Sequence, residues 1–377
     1  MTQEVRPWRL LVKVVLLFLA ANFGFALFDP PIGKLTLYNS LFPGRLRFPY
    51  EQEPEFYFAG YNAPIYEDFD AMFGAHIVSQ RKADNEYRVF LLGDSSTWSI
   101  AVQPGDMLSE QINKRGSKTC DGRDIRVYNL GYPMPFLMRD LLIMDKALEY
   151  QPDMFLWLVT LSTLEPKTAE TYFILPHAER YLRLAETYDL SSSEYAEPIL
   201  EPSFLDGTII RQGTRLKRIV FNQAMGVLWS GTGIDNHEGL HGDGEVPSAD
   251  VENDPAYDGL LPNASSNPFN NLKLDVVSAG YARAGNVPVI LVNEPIFMAN
   301  GLNSEVRYNS VYPRWVFDEY RQFIFDWTSA QKQNYLDFWN ILPPADFADQ
   351  AFHRNASGER HFADKLIPEL QKLTCPN

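Results

Sequence analysis

The chain is poor in cysteine and has no surplus of positive charge, and each shortage excludes a class of function. Its two cysteines, Cys120 and Cys375, are too few for a disulfide-built scaffold, although they suffice for one bridge in an oxidising compartment. Whether they pair is open at this level. A formal net charge of -15 repels a polyanion such as DNA, and no local basic patch reverses that field, so nucleic acid is not an expected partner. Charged residues make up only 21% against 45% hydrophobic, which excludes wholesale disorder and predicts a packed fold. At 377 residues the chain can bury one core carrying a sizeable insertion, and one enlarged domain is expected.

What the chain does have is a long apolar run near its start. Leu10 to Phe28 is apolar apart from Lys13 and Asn22, and about 20 such residues cross a bilayer core as a helix. Arg6, Arg9 and Lys13 lie on its leading side, which places residues 1–9 in the cytoplasm and everything after Asp29 outside. A single-pass signal anchor over residues 10–28 is the expectation. A cleaved signal peptide is the alternative, since Gly24-Phe25-Ala26 offers a small-x-small site. A buried core helix fits less well, because Asp29-Pro30-Pro31 ends the run sharply.

Residues 29–86 read as a juxtamembrane segment. From Phe42 to about Ala83 it is rich in Pro, Tyr and Phe without sustained periodicity or repeat, as expected of a segment laid over the main domain. The short apolar runs Tyr87–Leu92, Ile125–Leu130, Met154–Val159 and Val287–Val292, with Tyr335–Trp339 weaker, then predict strands. Helical spacing is present over Gly105–Lys114, Phe136–Tyr150, Asn271–Ala284, Pro313–Ala330 and Ser357–Leu373. This alternation predicts an α/β domain over residues 87–373, a doubly wound parallel sheet. Between residues 167 and 270 the alternation breaks down, which marks an insertion or lid. Its polar stretch Gly231–Asp258 holds His237 and His241 with Glu238 and Asp243, a ligand spacing that needs a helix. Gly239, Gly242 and Gly244 oppose one, so a solvated loop is expected and no metal or other cofactor.

The first strand runs directly into Gly93-Asp94-Ser95, followed by a helix start. Carboxyl ends of strands host the reactive groups in open α/β sheets, and a serine there can receive a base while backbone N–H groups face a developing oxyanion. Alone, the tripeptide is an ordinary turn and helix cap. Together with the strand before it, the motif resembles the first block of the SGNH or GDSL hydrolase family, in which that serine is the nucleophile. Tyr128-Asn129-Leu130-Gly131 is similar to the second block, and the resemblance gives the Gly131 N–H to the oxyanion hole alongside Ser95. The third block departs from the family. Counting from Pro152-Asp153 puts Thr160, Leu161, Ser162 and Thr163 on positions that usually read Gly-x-Asn-Asp, so Ser162 stands where the oxyanion-binding asparagine is expected. Either Ser162 is a variant donor or catalysis has lapsed.

Near the C-terminus, Asp349 and His353 resemble the last block, with Asp-x-x-x-His in place of the usual Asp-x-x-His. A histidine near neutral pKa can take the serine proton while a carboxylate fixes its tautomer. His353 is the expected base rather than His361, which falls within the predicted terminal helix. Asn293 and Glu294 close a predicted strand on the same edge and are candidate pocket residues. The resemblance covers roughly Tyr87–Asp153 and Val287–Leu373 and is greatest to membrane-tethered, extracytoplasmic members that act beside membrane-bound O-acyltransferases. It implies an esterase or O-acyltransferase acting on O-acyl groups, acetyl foremost, of an extracytoplasmic glycan. A catalytically silent carbohydrate-binding or scaffolding partner of a membrane acyltransferase, and a lipid-directed esterase, remain the other readings.

Overall fold

The computed structural model describes residues 6–50, 68–165, 171–190, 202–232, 247–251, 269 and 271–375. The stretch with His237, Glu238, His241 and Asp243 lies outside them. Five strands, β1 (Glu86–Leu92), β2 (Asp124–Asn129), β3 (Met154–Val159), β4 (Val289–Asn293) and β5 (Asn334–Asp337), form one all-parallel sheet in the order β2-β1-β3-β4-β5. They coincide with the five predicted runs to within about two residues at each end. Every residue of β1, β3 and β4 is buried, which is why these strands read as unbroken apolar runs rather than as alternating ones.

Alternate side chains nevertheless serve opposite faces. Phe90, Leu92, Phe155, Trp157 and Leu291 belong to one core cluster, while Val89, Leu91, Leu156, Leu158 and Ile290 belong to the other. The first face is covered by helices Leu137–Ala147, Leu274–Ala284 and Arg314–Ala330, the second by Leu108–Lys114 and Ala356–Leu373. Each fully buried large apolar side chain contributes roughly 1.5–3 kcal/mol, so these two clusters are the main source of stability. Part of the expected juxtamembrane segment is core as well: Phe48, Tyr50 and the helix Phe69–Ala75 pack into the first cluster.

The register aligns the carboxyl ends of the strands. Leu91 pairs with Asn129, Leu92 with Trp157, Val159 with Asn293, and Asn293 with Asp337. The loops after β1 and β3 therefore emerge side by side where the strand order reverses, the usual position for a site in such a sheet. At the N-terminus, helix Pro7–Phe28 is 22 residues long and contains an 18-residue stretch of mean hydropathy 2.3, long and apolar enough to cross a membrane. Its polar Asn22 is buried, donating to Phe18 O at 2.9 Å and accepting from Ile210 N–H at 3.2 Å. That contact joins it to helix Ile209–Thr232, an element of 24 residues within the region read only as an insertion.

Candidate active site

Gly93 follows β1 with φ +149°, and a Cβ there would lie 3.0 Å from Leu158 O and closer still to the Thr97 hydroxyl. Glycine alone fits this turn. Asp94 then caps the short helix Ser95–Trp98, its Oδ1 accepting the Ser96 N–H at 2.9 Å. Ser95 is thus the first residue of a helix, where the backbone N–H has no intrahelical acceptor.

Across the carboxyl edge, residues 347–354 form a closed loop. Phe347 bridges Arg354, and Ala348 N–H donates to His353 O at 2.8 Å. Within it Asp349 Oδ1 accepts the N–H groups of Ala351 (2.9 Å) and His353 (3.2 Å), an Asx turn that accommodates the extra residue in the Asp-x-x-x-His spacing. Asp349 Oδ2 is then free to meet His353 Nδ1 in a short hydrogen bond. Ser95 Oγ lies 2.8 Å from His353 Nε2. With Nδ1–H donated to Asp349, Nε2 is the acceptor for the serine hydroxyl.

Electrostatics follow the same line. Burial disfavours the imidazolium of His353, but the Asp349 carboxylate outweighs it and raises the histidine above its ordinary value. Burial likewise opposes ionisation of Asp349, and its bonds with His353 hold the carboxyl below the ordinary range. His361 takes no part in this line. It is half-exposed on the terminal helix, and its Nδ1 lies 2.6 Å from Asp346 Oδ2.

Gly131 packs against the helix Ser95–Trp98 so closely that a Cβ would lie 2.7 Å from Trp98 N. Its N–H donates to Asn129 Oδ1 at 3.0 Å, inside a buried turn. Ser162 sits in the short helix Leu161–Leu164 that follows β3, where Thr160 and Thr163 form a capping box. Its hydroxyl is 3.0 Å from Thr160 Oγ1 and accepts the buried Tyr312 hydroxyl at 3.0 Å. Thr163 Oγ1 reaches Asp94 Oδ2 at 3.4 Å, which ties the segment after β3 to the turn that carries Ser95.

Asn293 and Glu294 are at the expected edge, yet both side chains are fully buried. Asn293 Nδ2 donates to Asp337 Oδ1 at 2.8 Å. Glu294 Oε2 accepts the Ser96 hydroxyl in a short bond and Arg354 at 2.8 Å. Arg354 also donates to Glu359 Oε2 at 3.1 Å and to Ser96 O at 3.0 Å, while Ser99 Oγ donates to Glu359 Oε1 at 2.9 Å. Burial and the nearby Asp94 carboxylate push Glu294 up to about 7, against the pull of Arg354. Beneath Ser95 and His353 therefore lies a clamp of Glu294, Arg354 and Glu359 that the sequence reading missed. Its signals were Glu294, noted only as a pocket candidate, and Arg354 directly following His353, a single charge beside a histidine that has no unique meaning.

Comparison with protein-family models and with curated proteins finds no match to this chain.

Proposed function

We propose that this chain is a membrane-anchored SGNH-type serine esterase or O-acyltransferase that acts on O-acyl groups, acetyl foremost, of an extracytoplasmic glycan. The observation that carries this reading is the hydrogen-bonded line Ser95, His353, Asp349, drawn from segments 258 residues apart. In the proposed reaction Ser95 Oγ attacks the acyl carbonyl carbon while His353 Nε2 takes its proton, and Asp349 stabilises the imidazolium. The same proton then passes to the leaving alkoxide as the carbon–oxygen ester bond breaks, leaving an acyl-serine. Water, or a second glycan hydroxyl, attacks the acyl carbon after yielding its proton to His353, and Ser95 is released with that proton. Asn22 favours an anchor over a cleaved signal, because its side chain is held by the folded chain at Ile210. Arg6, Arg9 and Lys13 support a domain outside the cytoplasm, where a membrane-bound O-acyltransferase would be its partner.

A second reading, the catalytically silent glycan-binding or scaffolding partner, is favoured by the oxyanion positions. Gly131 N–H is already donated to Asn129, and no amide side chain occupies residues 160–163. The two readings separate in one experiment. Under the first, a fluorophosphonate labels the wild type but not Ser95→Ala, and the wild type hydrolyses an aryl acetate. Ser162→Ala then lowers kcat by roughly 10²-fold if its hydroxyl binds the oxyanion. Absence of labelling and turnover in a folded wild type, with turnover appearing only in Ser162→Asn, establishes the silent reading.

A further inference from the structure

The Leu137–Ala147 helix ends near the start of β3, and Leu274–Ala284 ends near the start of β4. Their carboxyl ends therefore lie at the amino edge of the sheet, opposite Ser95. There Asp145, 1% exposed, receives three guanidinium groups. Arg180 and Arg183 come from helix Ala178–Tyr188 and meet its Oδ2, the latter at 2.9 Å, while Arg283 meets Oδ1. All three arginines line an open cavity of about 570 Å³, within the range of small-ligand sites.

Three cations exceed what this carboxylate needs. One well-made pair compensates a buried carboxylate, and the exposed pairs add little stability. Each guanidinium has five N–H donors and uses one on Asp145, so every arginine keeps a fork for another acceptor. Asp145 holds the forks in place from below. The remaining charges are Glu149, on the rim 3.8 Å from Arg180, and Lys146, which pairs with Glu149 at 2.7 Å and Asp70 at 2.6 Å. In a chain of net charge -15, the cavity wall is locally cationic.

We infer that Arg180, Arg183 and Arg283 form a receptor for a phosphate monoester dianion, a site separate from the ester chemistry at Ser95. A carboxylate has two oxygens and satisfies one fork. The terminal oxygens of a phosphate monoester can engage three, with bidentate geometry that guanidinium matches better than ammonium. A sugar phosphate and a phosphatidic acid headgroup carry the same group, so the test includes both.

The full chain in detergent micelles is titrated calorimetrically with inorganic phosphate, a hexose phosphate and dihexanoyl phosphatidic acid, with dihexanoyl phosphatidylcholine as control. Wild type binds phosphate at 0.15 M salt. Arg183→Gln, whose parent side chain is 56% exposed, weakens it about tenfold with unchanged thermal unfolding and unchanged Ser95 labelling. Glu149→Gln, which removes the rim anion, tightens it several-fold. Whichever ester binds more tightly identifies the source. No phosphate binding by wild type overturns the inference, as does unchanged affinity in both Arg183→Gln and Arg183→Gln/Arg283→Gln. Should the arginine variants fail to fold, Glu149→Gln decides: tighter binding supports the site, and unchanged or weaker binding refutes it.

Discussion

In the proposed esterase His353 must be neutral to accept the Ser95 proton, and the carboxylate of Asp349 shifts the pH at which it becomes so. Because the folded-state pKa of His353 is raised, the imidazolium persists to higher pH than in a free histidine. For the proposed esterase, kcat/KM for an aryl acetate should therefore fall with decreasing pH through an apparent pKa above the ordinary 6.5. Asp349→Asn removes the anion and leaves burial to dominate, so the residual activity should show its acid limb at lower pH. Turnover should drop by up to ~10⁴, as when the triad carboxylate of a serine protease is neutralised. An unshifted acid limb in Asp349→Asn would show that another group governs the profile. Both residues were singled out in the sequence because they stand just ahead of the predicted terminal helix, where the SGNH resemblance implies an Asp and a His. Their extra spacing residue was an open matter until the Asx turn of Asp349 accounted for it.

At the scale of elements, three strand or helix ends meet on one guanidinium. Arg354 connects the end of β4 through Glu294, the helix Ser95–Trp98 through Ser96 O, and the first turn of the terminal helix through Glu359. Lysine keeps the charge but cannot hold three acceptors in a planar fork. Arg354→Lys should accordingly lower kcat by roughly 10²-fold with KM little changed, since ångström displacements of reacting groups cost that much. Arg354→Met should instead destabilise the fold by ~3–5 kcal/mol, because Glu294 and Glu359 would remain buried without their cation. Steady-state kinetics with thermal unfolding distinguish these outcomes, and an Arg354→Lys enzyme with raised KM and normal kcat would contradict the positioning role. The strands could be read from sequence because burial on both faces demands continuous apolar runs. Helix Ile209–Thr232 could not. Gly213 and Gly226 lower its local helical propensity, and Gly226 is there because a Cβ would collide with the Tyr38 ring. Glu294 was read as a pocket residue for a related reason: a charged residue just after a strand gives no sign of its buried partner, 60 residues away.

For the whole molecule, the terminal helix is fixed at both ends by different chemistry. Its start is held beside the candidate site by the Asn355 cap and the Arg354–Glu359 pair. Its far end is joined to the loop before β2 by a disulfide between Cys120 and Cys375, whose Cα atoms are 5.1 Å apart across 255 residues. Gln371 reinforces that junction by donating to Lys118 O at 3.0 Å. A bridge closing so long a loop removes loop-closure entropy from the unfolded chain, worth ~2–5 kcal/mol. Cys120→Ser/Cys375→Ser should therefore lower the unfolding temperature by on the order of 3–6 °C. Below that transition kcat should be unchanged, because the clamp holds His353 without the bridge. The same pair reports on location, since such bridges persist in oxidising compartments and not in the cytosol. Protein taken from cells under rapid alkylation should react with maleimide only after reduction. Free thiols in that experiment would place the domain on the cytoplasmic side and overturn the topology assigned from Arg6, Arg9 and Lys13.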